Sequence, residues 1–193
     1  MPRVFPPTPD RHALRFESGR TVARVAEPSD AAVVVEIIVD PPGNDPEHDQ
    51  GRSSDRVRLD LETLDAAAGA RAPATNLYWI VEHEGSAVGV VSANLRYLDN
   101  AGGSTGPRLR SAVWLVHFKP AALNGDVLTV LERDIAPGLE RALVEHFGVE
   151  QLVFWAADDD AVLRGLAAAS GFEGPVNHDH PQGLGLYRRP PRR

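Results

Sequence analysis

The side chains able to do chemistry are few and scattered along the chain. His117 lies inside Ser111–Phe118 (SAVWLVHF), an almost continuously apolar run. An imidazole there could take a proton near neutrality, because histidine titrates close to physiological pH. It could equally be a core or edge histidine whose ring is simply hydrogen-bonded. Glu82 and His83 are adjacent in a β-rich segment, so they point to opposite faces and at most one looks into a central cleft. Tyr97 ends the next β-rich segment and offers either a phenolic proton donor or an amphipathic surface ring. Asn177-His178-Asp179-His180 sets two imidazoles around a carboxylate, and His48-Asp49 could join them. Such ligands suit Zn or Ni, but two local ligands without two more at a defined spacing read as a polar loop, and no metal is expected.

Other chemistries are excluded outright. Cys is absent, which removes disulfides, thiolate nucleophiles and zinc–thiolate sites. No P-loop or G-x-G-x-x-G occurs. The formal charge is −7, from 27 acidic against 20 basic residues, and an acidic chain repels a phosphate backbone, so nucleic acid is not an expected partner. The one dense basic cluster, Arg188-Arg189-Pro190-Pro191-Arg192-Arg193, is broken by prolines and reads as a solvated tail. No apolar run approaches 18 residues and Met1–Asp10 lacks a signal-peptide core, so no membrane is expected and the reading is cytoplasmic. With 42% hydrophobic and 24% charged residues in 193, the composition is that of one globular domain.

The elements that must position these residues follow from periodicity. Residues 1–20, rich in Pro and Arg, suggest a poorly ordered leader; a single domain is expected over 21–188 and an Arg/Pro tail over 189–193. Thr21–Val25 alternates as a short strand. Glu27-Pro28-Ser29-Asp30 reads as a helix start for Ala31–Val39, with Ser29 or Asp30 as cap, although the β-branched Val33, Val34, Val35, Ile37 and Ile38 keep a strand open there. Asn44–Asp55 is an acidic loop, and Leu59, Leu61, Leu64 and Ala68 support a second helix. Leu77–Glu84 and Ser86–Tyr97 flank Glu84-Gly85 as a hairpin. Ser111–Phe118 should be a strand buried on both faces. Leu128, Leu131, Ile135, Leu139, Leu143 and Phe147 recur every three or four residues and put one apolar stripe on a helix, with Pro137 either kinking it or opening a second one. Asp126 could cap the first piece, and Gly148 fits the stop. Gln151–Ala156 is a second buried strand, Asp158 would cap a helix over Asp159–Ser170, and Leu184–Tyr187 would be an edge strand.

This order, and four sequence cues within it, resemble the GNAT superfamily of acyl-CoA-dependent N-acyltransferases. Val22-Ala23-Arg24-Val25-Ala26-Glu27-Pro28-Ser29-Asp30 is similar to the family's first strand and helix start. Ile80 to Val91 looks like its second and third strands, with Gly89 as the recurrent glycine. Trp114 to Pro120 looks like the fourth strand and its V-x-P, and Ala169-Ser170-Gly171-Phe172-Glu173 like the end of the last helix. The resemblance implies an α/β fold with a GNAT-like mixed, mostly antiparallel twisted sheet of six to seven strands, flanked by about four helices.

It further implies acetyl-CoA as co-substrate and transfer of its acetyl group to a primary amine of a small molecule or peptide. The pyrophosphate would meet the amino end of the central helix, where unpaired N–H groups and the helix dipole favour an anion. The family's Q/R-x-x-G-x-G/A loop is missing, and Pro120 to Val127 stands in its place. The cofactor-binding residues are then Phe118, Lys119, Ala122, Leu123, Asn124 and Gly125, with Arg133 either a displaced remnant of the motif or a solvated helix residue. Two family positions are also changed, a strand carboxylate falling near Ala112 and a helix tyrosine near Ala167. His117, Glu82 and Tyr97 are the candidates left for proton transfer. The acidic Asp45–Asp55 loop would border the acceptor site, where its carboxylates could attract a cationic amine; the default is a solvated loop. A homodimer is compatible with the reading. The alternative is a degenerate GNAT-fold binding or interaction module without catalysis.

Overall fold

The computed structural model describes residues 10–39, 55, 57–59, 61–62, 76–99, 108–119, 122, 126–157, 159–175 and 184–191. Along the chain these form β1 (Phe16–Ser18), β2 (Thr21–Val25), α1 (Ala31–Val39), β3 (Asn76–His83), β4 (Ser86–Asp99) and β5 (Arg108–Phe118). Then come α2 (Asp126–Val130), a π-helical segment (Leu131–Ile135), α3 (Ala136–Phe147), β6 (Gln151–Ala157), α4 (Ala161–Ala169) and β7 (Leu184–Arg189). The seven strands form one sheet in the order β1-β2-β3-β4-β5-β6-β7. Every neighbouring pair is antiparallel except β5–β6, which is parallel. The long helical crossover between β5 and β6 makes that parallel pair possible. Among the described residues, no helix is long and apolar enough to cross a membrane.

Strand alternation divides the core in two. Leu77, Trp79 and Val81 of β3 share one face of the sheet with Ala93, Trp114 and Phe154, under the stripe Leu131, Ile135, Leu139, Leu143 and Phe147. Tyr78, Ile80 and Val90 face the other way, against Val34, Ile37 and Ile38 of α1 and against Val57 and Leu61. Both faces are therefore covered, which is why β3 and β5 read as nearly unbroken apolar runs. The hairpin turn falls at Glu84 and Gly85, both at positive φ (52° and 78°) as a type I′ turn requires.

Helix wins over strand at 31–39 because Val34, Ile37 and Ile38 repeat at helical spacing against the sheet, and because the start is well capped. Glu27 and Asp30 form a capping box in which the Glu27 N–H donates to Asp30 Oδ2 at 2.7 Å. Pro137 lies in the first turn of α3, directly after the π segment, so the apolar stripe is one helical path with a change of pitch rather than one regular helix. Gly148 ends α3 in the left-handed conformation.

Several sequence expectations need correction. Residues 10–20 are not a leader: Leu14 is wholly buried, its carbonyl accepts from Trp79 Nε1 at 3.0 Å, and Phe16–Ser18 pairs with β2. Arg189 belongs to β7 rather than to a tail. α4 is capped by Asp160, whose side chain accepts from the Leu163 N–H at 2.8 Å, and it runs over Ala161–Ala169. Of the described helical residues 55, 57–59, 61 and 62, Val57 and Leu61 are buried and Leu59 is exposed; Leu64 and Ala68 lie outside the described residues.

Candidate functional site

The β5–β6 pair runs in register from Ser111↔Gln151 to Trp114↔Phe154 and stops there. Both strands continue, β5 to Phe118 and β6 to Ala157, each still paired to its outer neighbour. β4 holds Phe118 opposite Gly89, and β7 holds Ala157 opposite Leu184. The two strands thus part at their carboxyl ends, where open α/β sheets commonly bind ligands. Gly89 is required by this geometry: a Cβ there would overlap the Phe118 ring and the His117 carbonyl.

Beneath the parting strands, between the sheet and the helices α2 to α4, lies a cavity of about 80 Å³. Trp114, Val116 and Phe118 line it from β5, and Leu131, Ile135 and Leu139 from the crossover helix. Ala136 and Ala167 contribute small side chains on facing helices. Within the crossover the Ala136 N–H donates to the Leu131 carbonyl, five residues back, which marks the π geometry often found beside functional sites. Glu140 and Arg189 also line the cavity and are joined by a bidentate ion pair, Nη1–Oε1 2.7 Å and Nη2–Oε2 2.5 Å. The Arg189 guanidinium also lies 4.8 Å from the centre of the Phe172 ring.

The three residues singled out for proton transfer are not brought together. His117 pairs with Val90, is 2% exposed, and by alternation along β5 faces away from the cavity, toward α1. Because it lies past Trp114, it flanks the same parting of strands from the other side of the sheet. Glu82 sits two strands away, about 12 Å between backbone positions at ordinary strand spacings. Its carboxylate accepts from Arg24 Nε at 2.9 Å, and Arg24 also holds Asp30 at 2.7 and 3.0 Å. Burial works to raise the Asp30 pKa, but the Arg24 hydrogen bond, the Glu27 N–H and the fields of Arg24 and Arg11 outweigh it and hold the carboxyl below its ordinary value. The hydrogen bond to Asp30 in turn raises Arg24, against desolvation. Tyr97 pairs with Arg110, seven residues along β4 from Val90, so its backbone is about 24 Å from His117.

The residues singled out for the co-substrate divide similarly. Phe118 lines the cavity. Lys119 follows it, its N–H donating to the Val88 carbonyl at 2.9 Å and its ammonium 3.0 Å from Glu36 of α1. Ala122 is buried, and its N–H donates to the Lys119 carbonyl at 2.8 Å, turning the chain away from β5. Leu123, Asn124 and Gly125 lie outside the described residues, as do His48, Asp49, His178 and His180. Arg133 does not join the site: it projects from the outer side of the π segment, mostly exposed, toward Asp134. Among the described residues, no three His, Asp or Glu side chains gather to hold a metal.

Sequence reasoning missed Glu140 and Arg189. A usable signal was present: Glu132, Ala136 and Glu140 form a row beside the buried stripe, and Gly185, Tyr187 and Arg189 alternate inward on β7. A carboxylate and a guanidinium on two inward rows imply a buried pair.

No family model matches the sequence, and no curated protein matches it. Solved structures do match. A ribosomal-protein-S5-alanine acetyltransferase from Vibrio fischeri superposes with a TM-score of 0.60 over 92% of this chain and 96% of its own, at 12% identity. RimJ of Mycobacterium smegmatis, in complex with a CoA disulfide, gives 0.56 over 98% of this chain and 88% of its own, at 17% identity. FdhC, described as a nucleotide-linked sugar GNAT, gives 0.60 over 91% and 89%, at 14% identity. Likeness at such identities is likeness of fold, and it extends over nearly the whole length of each chain: this protein has the GNAT fold of those acetyltransferases.

Proposed function

We propose that the protein is an N-acetyltransferase that moves an acetyl group from acetyl-CoA to a primary amine of a small molecule or peptide. The observation that carries this reading is the end of the β5–β6 register at Trp114↔Phe154, with both strands continuing beyond it. A pantetheine arm can lie along the edge of β5 past Trp114, its amides matching the strand's peptide groups as a further strand would. The thioester then sits in the parting between the cavity face of β5 and the face that carries His117.

On that geometry His117 is the base. An ammonium acceptor must lose a proton before its nitrogen can attack, and a base within hydrogen-bond reach supplies that step. His117 takes the proton, the amine nitrogen bonds to the carbonyl carbon, and the carbon–sulfur bond breaks to release CoA as its thiolate. Sulfur then recovers a proton from the acceptor's nitrogen, directly or through water. Holding thioester and amine together in the gap supplies the orientation term. Glu82, committed to Arg24, and Tyr97, at the far end of β4, have no part in this scheme. A second reading, a binding module without turnover, draws on Ala112 and Ala167: both are buried where the family resemblance calls for a carboxylate and a tyrosine.

Thermal melts with and without acetyl-CoA separate binding from none. Ligand at 100 times its Kd stabilises by about 2.7 kcal/mol, or roughly 5–10 °C for a chain of this size. An unmoved Tm at millimolar acetyl-CoA overturns the enzymatic reading. With a competent acceptor amine, His117→Ala should slow transfer at least 100-fold while leaving acetyl-CoA binding intact. Unchanged turnover removes His117 as base.

A further inference from the structure

We infer that the acyl group this site is built to hold is longer than acetyl: a linear, uncharged chain near four carbons, with its tail in the cavity between the sheet and the helices α2 to α4. The inference rests on the acyl-CoA reading above and adds the chemical class of the group transferred. Val116 and Phe118, which lie past the end of the β5–β6 pairing, line this cavity together with Leu131, Ile135 and Leu139. Acetyl ends one carbon beyond its carbonyl and would leave this space unfilled. Ala136 and Ala167 line it with no more than a methyl group each, and the π segment, with Leu131, Glu132 and Ile135 in its wall, ends directly before Ala136.

Size sets the chain length. An apolar protein cavity of about 150 Å³ admits benzene, six carbons, so about 80 Å³ corresponds to roughly three carbons beyond the carbonyl, a butyryl group. Chemistry sets the class. The cavity's lining is mainly aliphatic and aromatic, with Glu132 and Ser170 as additional polar members. Its one cation, Arg189, is already neutralised bidentately by Glu140. A terminal carboxylate, as in a succinyl group, would meet a spent guanidinium and the Glu140 oxygens. A longer chain would have to displace that ion pair.

Calorimetric Kd values for CoA, acetyl-, butyryl-, octanoyl- and succinyl-CoA on the full-length protein test this. Each buried methylene is worth about fourfold in affinity, from about 0.8 kcal/mol per CH₂. Butyryl-CoA should therefore bind about 15-fold more tightly than acetyl-CoA, and both octanoyl- and succinyl-CoA more weakly than butyryl-CoA. Ala167→Leu should bring the butyryl-to-acetyl affinity ratio to one or below. Ala136→Val does the same from the facing helix should Ala167→Leu fail to fold, and the wild-type chain-length profile is decisive without either. Equal affinity for acetyl- and butyryl-CoA, or a succinyl preference, overturns the inference and leaves the acetyltransferase reading standing. If neither CoA nor any thioester binds, both fall.

Discussion

The Glu140–Arg189 pair gives a direct measure of how dry the interior beside the cavity is. The two side chains are 3% and 9% exposed and meet in a fork-to-fork contact. Replacing Glu140 by Ala leaves the guanidinium on the Phe172 ring with the Pro190 carbonyl, 3.1 Å from Nη1, as its other acceptor. Breaking a buried pair from one side costs about 3–5 kcal/mol, because the remaining charge is desolvated without compensation. For a domain of this size that is a fall in Tm of about 6–20 °C. The double variant Glu140→Met/Arg189→Met removes both charges and keeps the volume, so it should match the wild type or exceed it by about 1–4 kcal/mol. Urea and thermal unfolding of the wild type, both single variants and the double variant, followed by circular dichroism, closes the cycle. A Glu140→Ala loss below about 1 kcal/mol, the scale of an exposed pair, would refute the argument. So would a double variant less stable than either single one.

Two further perturbations bear on the elements around the site. Gly89→Ala forces a methyl into the Phe118 ring and should cost about 1–3 kcal/mol while weakening acetyl-CoA binding, with Phe118→Leu restoring part of both; wild-type stability for Gly89→Ala would show that the close approach is not needed. Asp30→Asn tests the Arg24 network through pH. The folded pKa is depressed, so the stability Asp30 contributes is complete above its unfolded value near 3.8 and is lost as pH falls through the lower folded value. Urea midpoints of wild type and Asp30→Asn should therefore differ by a constant amount from pH 7 to 5 and converge below about pH 4. A gap that persists unchanged to pH 2 contradicts it.

Much of the scaffold could be read from residue order. The hairpin at Glu84-Gly85, the doubly buried β5, the six-residue apolar stripe and the stop at Gly148 each rest on local chemistry strong enough to decide the outcome. β1 was hidden because Phe16–Ser18 is too short to show a period; its pairing depends on β2, and Leu14 is buried among core residues distant in sequence, with its carbonyl accepting from Trp79 Nε1. The cap of α4 was misread by two residues because Asp158, Asp159 and Asp160 are chemically alike. Site residues were less legible for a different reason. His117 and Glu82 are both polar groups beside buried strands, and only the register shows that one flanks the gap while the other serves Arg24. The cavity arises from what is small, Ala136 and Ala167, and from a pitch change in the helix, neither of which a polarity pattern records.

The wide turn at Leu131–Ile135 has a heritable side. With the Ala136 N–H reaching back five residues, that stretch carries one amino acid more than a regular ladder between the same endpoints would need. Loss of a single codon, Arg133 being the most dispensable since its side chain is 75% exposed, would restore ordinary spacing without relocating either flanking helix. Descendants of this gene could therefore retune the neighbouring hollow by changing the length of the polypeptide, shifting Leu131, Glu132 and Ile135 in its wall without replacing any of them.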